Sequence, residues 1–241
     1  MLYLSRKNIE GIGEAVLLDY AMKYPGDLRY PLHIRWFALM GLGLGVKHRK
    51  LSDSGNICGL TVYAGTEVTL PVRVGDNIIC ETKDTIYVDE SLLCSECSSY
   101  LRFTIAHECA HQILRQMVER KTGRSFRSAF EPGKRYTCVE IKTAEYWWEW
   151  QANTLAAILL MPKYKLAPHL IGTGGRSHIF TAFGSRFNDV DYKRIKGLAD
   201  MFGVSFSAMK IRLETLEYIV DRPESEYVAN PLDVVADRIA M

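Results

Sequence analysis

The sequence predicts an α+β protein with a small, mostly antiparallel sheet and two central helices, followed by a small helical C-terminal part. Two observations indicate this class. Apolar residues recur at helical spacing up to about residue 42 and again from residue 95 onwards. Between residues 45 and 89, short runs rich in Val, Ile, Thr and Tyr alternate with turn residues, a pattern typical of short strands.

The first half of the chain supplies two predicted helices and then the sheet. Helical spacing predicts a first helix over residues 8–22, which Pro25-Gly26 ends, and a shorter one over residues 32–42. Strands follow, separated by turns at residues 53–56 and 75–77, and residues 85–88 form the last of them.

The second half is predicted to be helical. Periodicity indicates long helices over residues 95–120 and 139–160, the second stopped by Pro162, and a further pair over residues 191–202 and 205–220. A glycine-rich segment at residues 172–175 separates these two groups. We therefore predict a main domain over residues 1–170, a helix-turn-helix-like subdomain over 171–222 and a tail over 223–241.

Composition excludes several classes of protein. The chain has 241 residues, 48% of them hydrophobic, and a formal net charge of +2, which excludes a histone-like, polybasic nucleic-acid coat. A membrane span needs about 20 apolar residues, whereas the longest apolar run, residues 36–46, is short and broken by glycines. The first residues lack the pattern of a secretory signal peptide, so we expect a cytoplasmic protein with six reduced cysteines.

The strongest chemical signal is the HExxH motif formed by His107-Glu108-Cys109-Ala110-His111. It lies in a segment with independent helical periodicity, so His107 and His111 lie one turn apart on the same face and can bind one metal ion. Glu108, next to the first histidine, can act as the general base that takes a proton from a metal-activated water.

A catalytic zinc usually has a third protein ligand, which must come from elsewhere in the chain. Glu149 is the best candidate because it precedes an apolar stretch on a predicted core helix, where a carboxylate needs a partner. Glu145, one turn earlier, is the second choice. The other downstream candidates are Glu140, His169 and His178.

Two blocks of the sequence are distinctive: residues 102–111 are RFTIAHECAH, and residues 149–162 are EWQANTLAAILLMP. They resemble the RFTxAHExxH and ExxAN-x-FA-x-x-LLMP blocks of the ImmA/IrrE family of metallopeptidases. Weaker similarity extends over roughly residues 8–220. Leu155 stands where the family usually has Phe. The interval between the two blocks is longer than usual because of the stretch over residues 120–135, which belongs to a basic segment over residues 115–135.

This resemblance implies a zincin-like fold with His107, His111 and Glu149 as metal ligands and Glu108 as the catalytic acid/base. It also implies a protein substrate, a repressor-type transcription regulator, in the setting of mobile elements or stress responses. The two-histidine, one-carboxylate set suits Zn²⁺, while Mn²⁺ and Fe²⁺ stay open. The residue that stabilises the oxyanion also stays open among Tyr136, Tyr146 and His178.

A DNA- or partner-binding regulator with a structural or vestigial metal site is the alternative hypothesis. Residues 198–205 resemble the first half of a helix-turn-helix, but the next helix begins with Ser205-Phe206-Ser207-Ala208-Met209 rather than with residues that read base edges. Direct nucleic-acid binding is therefore not expected.

The lone CxxC at Cys94 and Cys97 lacks a second pair, which argues against a structural zinc site. It predicts two buried thiols at a helix start, with a redox pair as the alternative.

Overall fold

A computed structural model gives the fold of the protein and describes residues 4–26, 29–73, 78–94, 96, 98–117, 144–171, 179–184 and 186–227, without the side chains of residues 144 and 145. The described residues confirm an α+β protein. The chain divides into two compact units, Met1–Leu160 and Met161–Met241. The domain limits predicted from the sequence, 1–170, 171–222 and 223–241, stay predictions.

The described helices of the first unit lie where periodicity predicts them. Helix α1 spans Arg6–Lys23, the short α2 spans Ile34–Trp36 and continues as a π-helical turn over Phe37–Gly41, α3 spans Ser98–Met117 and α4 spans Ala144–Leu160. A 3-10 turn, Glu90–Leu93, precedes α3. Ser5 caps α1 reciprocally with Asn8, which accounts for the sharp start of that helix.

The central sheet is mixed, so the prediction of a mostly antiparallel sheet was wrong for it. Strands β1 (Gly45–His48), β2 (Gly59–Val62) and β5 (Thr85–Val88) lie in the order β1-β5-β2. The central β5 runs parallel to β1 and antiparallel to β2. Strands β3 (Glu67–Thr69) and β4 (Ile78–Cys80) form a separate antiparallel pair. Local alternation identifies strands, but it does not reveal which distant strand each one pairs with.

Helix α3 is enclosed between the sheet and α4. It packs against β2 and β5 on one side and against α4 on the other, while α1 covers another part of α4. All residues from Thr104 to Leu114 are consequently buried. Strands β2 and β5 are also buried along their whole length, so the motif on α3 lies in the interior of this unit.

The close approach of α1 to α4 depends on Gly13. A Cβ atom at Gly13 would lie 2.5 Å from Cγ2 of Ile158, whereas a Cβ atom at Gly11 would have no neighbour within 4 Å. We expect Gly13→Ala to destabilise the protein by about 1–3 kcal/mol through overpacking against a stiff, β-branched side chain. Gly11→Ala should instead stabilise it by about 0.5–1 kcal/mol, because alanine favours the helix.

Urea denaturation of the two alanine variants checks this prediction, since both make the same chemical change two residues apart. Equal stability changes in Gly13→Ala and Gly11→Ala would contradict the tight packing of α1 on α4 at Ile158.

The second unit contains strands as well as helices. Helix α5 (Lys163–Leu166) leads into a 3-10 turn, Ala167–Leu170. Strands β6 (Phe180–Phe183), β7 (Arg186–Phe187) and β8 (Ile219–Arg222) form a sheet in the order β7-β6-β8. Helices α6 (Asp189–Phe202) and α7 (Phe206–Thr215) lie between β7 and β8 in the chain, and a 3-10 turn, Glu224–Glu226, follows.

These strands correct the prediction of a helical C-terminal part, which assigned no strand there. Helix α7 ends at Thr215 rather than at residue 220, because β8 begins at Ile219 and pairs in parallel with β6. Helical spacing placed residues 219–220 in the last predicted helix, and only their pairing with the distant β6 shows that they belong to a strand. The α6–α7 turn itself is as predicted, with Gly203 in the left-handed conformation at φ 62°.

No helix in the described part of the chain is long and apolar enough to cross a membrane.

The expectation that all cysteines are thiols was wrong for Cys94, which is exposed and disulfide-bonded, while Cys58, Cys80 and Cys109 are free. Cys97 lies outside the described residues.

Candidate metal centre

Helix α3 brings two imidazoles together. His107 and His111 are four residues apart and therefore lie on one face of the helix. Both are buried, and their Nε2 atoms are 3.0 Å apart with the rings almost perpendicular, at 88°. Two buried Nε2 atoms at this separation point to one shared partner rather than to two independent roles.

Helix α4 adds the third group. Glu149 lies with Oε2 3.2 Å from Nε2 of His107 and Oε1 3.3 Å from Nε2 of His111. Four-coordinate zinc with bonds of about 2.0–2.1 Å requires ligand atoms about 3.3 Å apart, so these separations fit one ion. These three residues can therefore hold a metal ion, although the group does not identify which one.

An unsatisfied carboxylate oxygen supports the same conclusion. The Oε2 atom of Glu149 is buried, and its contact with Nε2 of His107 at 3.2 Å lacks the geometry of a good hydrogen bond. A buried carboxylate oxygen without a partner is costly. A cation bound between Glu149 and the two histidines would remove this cost.

The electrostatics of the group favour a positive charge. Burial raises the pKa of Glu149, but hydrogen bonds and charge from His107 and His111 outweigh burial and hold this pKa at about 2. Burial lowers the pKa of His111, and hydrogen bonding and charge from Glu149 outweigh it, so that the net pKa is raised. The metal-free group therefore tends to hold a proton in the place that a metal ion would take.

These shifts predict a pH window for the stability of the metal-free protein. The contribution of Glu149 to the free energy of unfolding is present above the pKa of 4.5 that its carboxyl has in the unfolded chain. This contribution is lost as the pH falls towards 2, the pKa in the folded protein. The contribution of His111 is complete below its unfolded pKa of 6.5 and is lost as the pH rises through the raised folded pKa. We expect the stability difference between metal-free wild type and Glu149→Gln to be largest between these two values.

Urea denaturation in the presence of a chelator, from pH 3 to pH 9, measures this difference. A difference that does not change with pH would show that the carboxylate and His111 are not coupled in the folded state.

The other ring nitrogen of His107 also has a partner. Its Nδ1 atom lies 2.9 Å from Oδ1 of Asn153, which follows Glu149 by one turn of α4. In contrast, Nδ1 of His111 has no hydrogen-bond partner within the described ranges. The sequence analysis gave Asn153 no role, although its spacing of four residues from Glu149 places both on one face of the helix.

Glu108 is held by strand β2. Its side chain is completely buried, and the hydroxyl of Thr61 donates a hydrogen bond of 2.7 Å to its Oε2 atom. A Cβ atom at Gly59 would lie 2.8 Å from Oε1 of Glu108 and 2.7 Å from Cγ2 of Thr104, so this approach of strand to helix requires glycine. Sequence analysis missed both strand residues. A glycine inside a strand is the available signal, because it often marks such close contacts.

Neighbouring side chains complete the surroundings of the metal-binding group. The buried Trp148 lies beside His111, with ring centroids 6.0 Å apart, while Trp147 stacks on Trp150 at 4.7 Å. Burial raises the pKa of Cys109, and the charge of Glu108 raises it further, so this thiol inside the motif is not an activated nucleophile.

The remaining candidates do not join the described group. His169 is exposed and its ring lies edge-on to Phe202, in the second unit. Glu145 belongs to α4, but its side chain is outside the described part. Tyr146 is half-buried on α4. Candidates that lie outside the described residues altogether are Glu140, His178, Tyr136 and the basic segment from residue 118 onwards.

Comparison of the whole chain with protein-family models and with curated proteins found no match. No family is therefore shown for this chain, and the resemblance of its two sequence blocks is the basis of a proposal only.

Proposed function

We propose that the protein is a zinc-dependent endopeptidase of the ImmA/IrrE type with a zincin-like fold. One observation carries this proposal: the buried group of His107, His111 and Glu149 is accompanied by Glu108, whose carboxylate is fixed by Thr61. A structural metal site needs no additional buried carboxylate, whereas hydrolysis needs a general base beside the metal.

The number of ligands also supports catalysis. Structural zinc sites usually have four protein ligands, whereas catalytic sites have three and keep one position open. Among the described residues, three side chains form the group. This set fits Zn²⁺, and the same donors also accept Mn²⁺ or Fe²⁺.

The residues of the chain divide the work of peptide hydrolysis between them. A bound zinc ion would supply Lewis acidity, which polarises the scissile carbonyl and makes water at the site more acidic. Glu108 accepts the proton of the attacking water and returns it to the nitrogen of the leaving amine. Thr61 and the close approach at Gly59 hold the Glu108 carboxylate in one orientation for both transfers.

The substrate class follows from the resemblance. We propose a repressor-type transcription regulator as the protein substrate, a cytoplasmic location, and a role in mobile-element or stress regulation. Trp148, beside His111, provides an apolar wall next to the site.

A substrate search with a matched inactive variant tests the proposal. Zinc-loaded wild type and Glu108→Gln are incubated with a soluble proteome from the source organism, and new N-termini are labelled and identified by mass spectrometry. We expect a small set of new N-termini with wild type alone, lost when a chelator removes the metal. The same N-termini with both proteins would contradict the assignment of Glu108.

The alternative, a DNA- or partner-binding regulator with a structural metal site, has weaker support. Met209 is completely buried, and the ring centroids of Phe206 and Tyr192 are 4.8 Å apart. The start of α7 therefore packs within the protein instead of presenting side chains that could read DNA bases. Lys210 on the same helix pairs with Glu214 at 3.7 Å. Strongly salt-dependent binding to duplex DNA would favour this alternative.

A further inference from the structure

The ring of His107 is held at both nitrogens. Nδ1 lies 2.9 Å from Oδ1 of Asn153, and Nε2 lies 3.2 Å from Oε2 of Glu149. A carboxamide oxygen only accepts hydrogen bonds, so a hydrogen bond between these two atoms requires the proton of the neutral ring to be on Nδ1. Nε2 then has a lone pair, and it points at the position where the three candidate ligands meet.

Helix α4 provides both partners of this ring from a single face. Glu149 and Asn153 are one turn apart, just as His107 and His111 are one turn apart on α3. Ala152, next to Asn153, is completely buried, as is Leu155. This packing fixes the rotation of α4 about its axis and thereby the positions of the carboxylate and the amide.

The two histidines differ in this respect. Nδ1 of His111 has no hydrogen-bond partner among the residues described, so the orientation of its ring depends on packing and on Glu149. His107 is therefore the imidazole that the fold orients before any ion binds.

We propose that Asn153 is a positioning residue that fixes His107 as the Nδ1–H tautomer and so presents Nε2 to a divalent metal ion. This inference rests on the metal centre of the proposed function. Partners of this kind orient the ligand and increase its basicity, and their loss typically reduces metal affinity by about 10–100-fold. Asn153 contributes its effect through His107 and does not itself bind the ion.

Zinc affinity of the full-length protein, measured by competition with a chromophoric chelator, tests the proposal. We expect Asn153→Leu to weaken zinc binding by about 10–100-fold, since leucine keeps the size but offers no acceptor. Asn153→Asp keeps the acceptor and should bind zinc at least as tightly as wild type. Thr154→Ala is the matched control, because its hydroxyl bonds to the carbonyl of Trp150 on α4, and it should leave zinc affinity unchanged.

A second measurement does not depend on how well the variants fold. Long-range ¹H–¹⁵N correlation spectra of the zinc-loaded wild type should show the ring proton of His107 on Nδ1. A proton on Nε2, or wild-type zinc affinity in folded Asn153→Leu, would overturn the role of Asn153. Absence of zinc binding by the wild type would instead overturn the metal centre itself, so the two failures are distinguishable.

Discussion

Glu149→Ala should lose zinc affinity by more than about 100-fold while the protein remains folded. Residues outside the coordination shell contribute about 10–100-fold to affinity, and a ligand should contribute more. Glu149 lies within 3.3 Å of both imidazole Nε2 atoms, so its removal takes away the only carboxylate in the group of three candidate ligands that the structure describes. Elemental analysis after metal-replete purification, followed by chelator competition, measures the loss.

Two further variants make this result specific. Glu149→Gln keeps the size of the side chain and should also bind zinc weakly, because a neutral amide is a poorer ligand than a carboxylate. Glu145→Ala removes the competing candidate one turn earlier on α4 and should keep one equivalent of zinc. Zinc retained in Glu149→Ala but lost in Glu145→Ala would exchange the roles of these two residues.

The candidate ligands could be predicted from the sequence because each obeys a local rule. The spacing of His107 and His111 is itself the geometry of one helix turn. Glu149 could be selected because a carboxylate before a strongly apolar stretch of helix needs a partner in the core. Neither inference requires knowledge of how α3 and α4 cross.

The supporting residues could not be predicted because their roles exist only where distant segments meet. Asn153 reaches His107 across the contact between α4 and α3, and Thr61 reaches Glu108 from a strand 47 positions earlier in the chain. The parallel pairing of β1 with β5 is of the same kind. Alternation of apolar residues identified these strands, but it carries no information about which strand lies beside which helix.

Glu108→Gln should reduce kcat/KM for a cleaved substrate by about 10²–10⁴-fold, the range that general acid–base catalysis contributes. Glutamine has nearly the same size, and its carbonyl oxygen can still accept the hydrogen bond from Thr61, so the packing against Gly59 should survive. Because Glu108 is outside the group of three candidate ligands, zinc content should equal that of the wild type.

Separate measurements of metal and activity make this prediction decisive. Zinc content, thermal stability and kcat/KM are determined on the same preparation, with Glu67→Gln, an exposed residue on β3, as the control for removal of one negative charge. Wild-type activity in zinc-loaded Glu108→Gln would remove Glu108 from the mechanism. Loss of zinc together with activity would place Glu108 among the ligands, because a group that only transfers protons has no reason to change metal affinity strongly.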